Sequence, residues 1–172
     1  QLSGGLLTDR GGRRMPFLLL FAMLMLVAWV FIAHVSAQAT DPVIGTWTLN
    51  VAKSKFDPGP AAKSGTVTFM LAGEGVHVVA DIVGPEGTTH TDYTASYDGK
   101  DYPLKGVPGA DTVSLKRIDA TSSQRTDKMG GKVVGTWTRK VAADGKTMTV
   151  TYSGTDAKGQ KANNVMVFDR KS

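Results

Sequence analysis

His77, Asp81, His90 and Asp92 are the side chains of this 172-residue chain whose types and spacing come nearest to a reactive or metal-holding group. If Gly84-Pro85-Glu86-Gly87 turns a hairpin, Val83 stands opposite Thr88 and His90 opposite Asp81, with His77 and Asp92 on the same surface. Four such groups could form a shallow metal site. The same arrangement also describes solvent-facing ion pairs on a sheet, which contribute little, and we expect those and no metal. Elsewhere the chain carries no Gly-x-Ser-x-Gly elbow, His-Glu-x-x-His, P-loop or Gly-x-Gly-x-x-Gly. It has no cysteine, hence no thiol nucleophile and no disulfide framework. No catalytic residue and no cofactor are expected.

Arg139 points to binding rather than reaction. It shares a strand side with Trp137 and Val141, two residues away in either direction. If that side is internal, the guanidinium is a buried cation in need of an anion, which the head group of an amphipathic ligand could supply. Alternatively it sits near the strand end and reaches its head to water. Phe69, Tyr93, Trp137, Tyr152 and Met166 are candidate walls of a pocket, and equally candidate filling of a solid core.

The elements that must position these residues are short strands. Val43 to Asn50 alternates, with Trp47, Leu49 and Val51 on one side and Thr46, Thr48 and Asn50 on the other. Further strands are expected at 65–71, 76–83, 88–97, 101–105, 112–118, 122–128, 133–141, 147–153 and 164–170. Asp98-Gly99 is a strong hairpin turn. Pro103 makes the fifth strand short or places it on an open edge. The seventh has no aliphatic residue and is expected to be frayed or irregular. A loop of Ala142-Ala143-Asp144-Gly145 would set Trp137 opposite Val150 and Arg139 opposite Met148. No stretch after residue 39 shows the apolar period of a helix, and every connection is short, so consecutive strands should be antiparallel neighbours. The expected fold is all-β, an up-and-down meander of about 8–10 strands that closes on itself rather than leaving edges. Gly-Thr-Trp-Thr occurs twice, at 45–48 and 135–138; two strands with similar places in a wall would converge on it.

Pro16 to Ala33 is apolar, and Val35, Ala37 and Ala39 fit signal-peptidase cleavage after either alanine. Residues 1–39 are therefore expected to be a leader and signal peptide, or an uncleaved anchor, and 40–172 a single exported domain, periplasmic or secreted. Setting aside Asp9, Arg10, Arg13 and Arg14 leaves 17 basic and 14 acidic residues, a net of +3. These charges are scattered, so no nucleic-acid partner is expected, and a membrane only through the N-terminal segment.

Gly45-Thr46-Trp47-Thr48-Leu49 resembles the opening strand of the calycin superfamily, the lipocalins and fatty-acid-binding proteins. The chain is similar to small bacterial secreted lipocalin-like proteins through Trp47-Thr48-Leu49-Asn50, Ser54-Lys55-Phe56 and Asp98-Gly99-Lys100-Asp101-Tyr102, and distantly to the fatty-acid-binding type through Val167-Phe168-Asp169-Arg170. The resemblance implies a calycin-like barrel holding a small hydrophobic or amphipathic molecule, with Arg170 of the last strand lying across Trp47 as a structural brace. Two departures stand beside it. Pro58-Gly59-Pro60 cannot form the helical lid of fatty-acid-binding proteins, and Met166 and Phe168 occupy the places of their carboxylate-binding Arg-x-Tyr. The alternative is an envelope structural or interaction module with a solid core.

Overall fold

A computed structural model describes residues 41–155 and 159–172 of the chain. The expected leader, residues 1–39, lies outside the described residues. The described part forms ten strands: β1 (Gly45–Lys55), β2 (Ser64–Ala72), β3 (Gly75–Gly84), β4 (Gly87–Ser96), β5 (Tyr102–Pro103), β6 (Thr112–Arg117), β7 (Ser122–Met129), β8 (Lys132–Val141), β9 (Thr147–Thr155) and β10 (Lys161–Arg170). They make one antiparallel sheet in the order β4-β3-β2-β1-β10-β9-β8-β7-β6-β5. Every neighbour is consecutive in sequence except one pair: β1 lies against β10, with Trp47 opposite Arg170.

The free edges of this sheet, β4 and β5, then approach each other and nearly close a barrel. Asp92 and Lys105 exchange backbone hydrogen bonds of 3.2 and 3.1 Å toward one end. The Gly99 amide bonds to the Leu115 carbonyl at 3.0 Å toward the other. At the first of these contacts Gly106 has a φ of +77°, and a Cβ there would overlap the His90 carbonyl. Glycine is needed there on both counts, for the left-handed backbone and for the close approach. The two-residue β5 sits where Pro103 requires, on an edge with no ladder donor to lose.

Alternation delivers the core. Trp47, Leu49, Phe69, Val76, Val78, Tyr93, Val113, Leu115, Met148 and Phe168 are buried on the inner face. The β3–β4 hairpin has the expected register, Val83 opposite Thr88 through Val78 opposite Tyr93. The β8–β9 hairpin does not. Val141 faces Met148, so Trp137 pairs with Tyr152 and Arg139 with Val150, two places from the expected partners. Within the turn the Gly145 amide bonds to the Ala142 carbonyl at 2.9 Å. Gly145 is left-handed at φ +67°, and the Ala142 amide bonds to the Thr147 carbonyl at 2.8 Å, so the loop is 143–146, one residue later than expected. A shift of two keeps every side chain on its face.

β7 also corrects the expectation. It is a regular eight-residue strand paired on both sides, with one irregularity at Asp127/Lys128. It lacks aliphatics because two of its inward positions, Arg125 and Asp127, pair with each other, and Asp127 also accepts from Trp137. In β1 the ladder to β10 breaks between Asn50 and Lys55. There the Ser54 hydroxyl donates to the Asn50 carbonyl at 2.7 Å and accepts from the Val167 amide at 3.0 Å, replacing the lost backbone partner. Asn50 itself holds Asp169 at 2.7 Å.

Candidate functional site

One end of the barrel is shut. Trp47 is fully buried, and its indole N–H donates to the Val43 carbonyl at 2.7 Å. The Arg170 guanidinium carbon lies 4.2 Å from the Trp47 ring centroid. Arg170 donates to the Gly145 carbonyl at 2.6 Å, the Ile44 carbonyl at 2.7 Å and the Pro42 carbonyl. A cation over an aromatic face, with its nitrogens bonded to backbone, ties together the chain entering β1, the β8–β9 turn and the last strand.

Above this floor the interior is hollow. A cavity of about 300 Å³ is bounded by side chains from β1's end, β2, β3, β4, β7, β8, β9 and β10. Phe69, Tyr93, Trp137, Arg139 and Met166 all line it. Tyr152 does not. It packs against Trp137, with ring centroids 4.3 Å apart, and borders a second cavity of about 350 Å³ farther from Trp47. Phe56, just past the end of β1, also lines the first cavity. Its loop is held to β10 by the Asn163 amide on the Asp57 carbonyl at 2.6 Å and the Asp57 amide on the Asn164 side chain at 2.9 Å.

The cavity wall is apolar except for a small polar group around two arginines. Arg139 is only 4% exposed, so its head is inside and not in bulk water. It lies 5.2 Å from the Phe69 centroid, and one nitrogen reaches the Tyr93 hydroxyl at 3.4 Å. The other terminal nitrogen, Nη1, is buried with no hydrogen-bond partner. Among the described residues no carboxylate pairs with it.

Arg125 behaves differently. It grips Asp127 through two parallel bonds of 2.6 and 2.9 Å, and Asp127 also accepts the Trp137 indole N–H at 2.8 Å. The guanidinium lies 4.8 Å from the Tyr93 centroid. Burial works against the Arg125 cation, but Tyr93 and Asp127 outweigh it, so its pKa lies above the ordinary arginine value. With Arg125 and Asp127 cancelling, the interior keeps one uncompensated positive charge, that of Arg139.

Sequence reading did not single out Arg125 and Asp127. The available signal was an arginine and an aspartate two apart on one strand, which must share a face, beside a strand carrying a second arginine. The four groups that open the sequence analysis lie on the outer face. His90 meets Asp81 at 2.7 Å in an exposed pair, and His77 meets Asp92 at 3.2 Å in a separate, half-buried one. No group of three metal-ligating side chains occurs among the described residues.

No protein-family model and no curated protein matches the chain. Among solved structures it is similar to zebrafish ileal bile acid-binding protein in complex with cholic acid, at 11% identity and a TM-score of 0.48, over 76% of this chain and 99% of that one.

Proposed function

We propose that the protein is a carrier that holds one small amphipathic molecule inside its barrel, with a negatively charged head group against Arg139 and Tyr93 and the apolar body along Phe69 and Met166. The observation that carries this is the Arg139 Nη1, a buried cationic donor with no hydrogen-bond partner, on a side chain that lines an apolar hollow. A guanidinium withdrawn from water without an anion costs several kcal/mol, and a bound carboxylate, sulfate or phosphate oxygen removes that cost. Pockets that bind small molecules are typically apolar with a few placed polar groups, which describes this lining. The reading includes no chemical step: the polar groups facing the cavity are guanidiniums, hydroxyls and an amide, which recognise and orient a guest. It also places the protein outside the cytoplasm, on the strength of the apolar run before Ala37 and Ala39. A solid structural module would have no use for the hollow.

Titrating a long-chain fatty acid, cholate and a retinoid separately tests the reading. The expected result is quenching of Trp137 fluorescence and a rise in melting temperature with at least one anionic amphipath, both abolished in Arg139→Met. If all three leave fluorescence and melting unchanged, the carrier reading fails.

A further inference from the structure

Among the described residues, Trp137 and Val107 are the two that border both the inner cavity, where Arg139 sits, and the second cavity, farther from Trp47. The indole between them is fixed from several sides. Asp127 holds its N–H at 2.8 Å, Tyr152 packs on one side, and Arg125 lies 5.4 Å from its centroid. Gly135, two residues earlier on the same face, leaves the space that the Tyr152 ring occupies, because a Cβ there would lie 2.6 Å from that ring. The Arg125–Asp127 pair spans the same boundary, with Arg125 on the inner side and Asp127 on the outer.

From this we infer that Trp137 is a fixed partition that sets the size of the guest: a ligand anchored at Arg139 can fill only the inner cavity, and Trp137 bars its tail from the outer one. The inference rests on the carrier reading. The inner cavity, at about 300 Å³, is at the lower limit of small-molecule pockets. Removing the partition roughly doubles the space. Extending a guest past the indole would mean breaking its bond to Asp127 and unpacking Tyr152, costs that shorter guests avoid. Trp137 is thus a specificity-determining residue, and Asp127, Tyr152 and Gly135 are its positioning residues.

The test is calorimetric titration of straight-chain saturated monocarboxylates of stepped length into the full chain, its Trp137→Ala variant and its Trp137→Phe variant. In the unaltered protein affinity should rise about fourfold per methylene until the inner cavity is full, then level or fall. In Trp137→Ala the rise should continue to longer chains, while Trp137→Phe, which keeps a ring in place, should hold the original limit. A residue that only supports the fold would weaken all lengths alike and leave the limit where it was. Should Trp137→Ala fail to melt cooperatively, Trp137→Leu takes its place. An unmoved limit in the small variant overturns the partition and leaves the carrier intact. No binding at any length in any variant overturns both.

Discussion

The two copies of Gly-Thr-Trp-Thr do opposite things. In β1 the motif lies at the shut end of the barrel, and Trp47 is buried with its N–H on a backbone carbonyl. In β8, which runs the other way, it lies toward the opposite end, and Trp137 borders two cavities with its N–H on a carboxylate. The glycine has one purpose in both. Two residues before each tryptophan on the same face, it clears space for the group that covers the indole. A Cβ on Gly45 would lie 2.6 Å from the Arg170 guanidinium, as one on Gly135 would from Tyr152. The motif therefore encodes a tryptophan with a cover, and what the cover is decides the role. An arginine bonded to three carbonyls makes a plug, and a tyrosine beside an ion pair makes a wall.

Substitutions can break this contrast or sharpen it. Trp47→Ala should cost about 3–5 kcal/mol in urea unfolding, the penalty for emptying a packed core site. Trp137→Ala, bordering cavities already, should cost about 1–2 kcal/mol by the same measurement; equal losses would erase the distinction between plug and wall. The two arginines should differ in sign. Arg170→Met removes bonds to three carbonyls and a cation–π contact, and should destabilise by about 2–4 kcal/mol. Arg139→Met removes an unpaired buried cation, and should leave the ligand-free protein as stable or about 1–3 kcal/mol more stable while abolishing anion binding. Tyr97→Phe should be neutral to slightly stabilising in thermal melts, since the Tyr97 hydroxyl is buried without a partner. Burial raises the Tyr97 pKa, so the stability it contributes is present below the ordinary tyrosine value near pH 10 and is lost as pH rises through the raised one. The smallest effect belongs to His90→Ala on the outer face, within about 0.5 kcal/mol.

Most of the architecture could be read from side-chain alternation. A strand needs only its own pattern to declare its inner face, and a tight turn fixes a register, as Gly84-Pro85-Glu86-Gly87 did for β3 and β4. The β8–β9 pairing slipped because Ala142 stays in the ladder opposite Thr147 and the four-residue loop begins one place later, a conformational detail that composition does not carry. β7 was obscure for a different reason. Arg125 and Asp127 look like surface residues one at a time and become interior ones only as a pair. The hollow was legible only as one of two alternatives, although Phe69, Tyr93, Trp137, Arg139 and Met166 do line it. The same aromatics that line it would fill a narrower barrel, and only the three-dimensional closure of ten strands decides between them.

The pairing of β1 with β10 has a consequence for how the molecule comes into being. A ribosome makes β1 more than a hundred residues before β10, so β1, paired with β2 on one side, waits with its other edge bare until β10 arrives. Contacts between such distant segments slow folding. Neither the Trp47 plug nor the hollow above it can exist on a nascent chain. Without Arg170 the sheet would lose the side chain that ties β10 to the β8–β9 turn and to the chain entering β1.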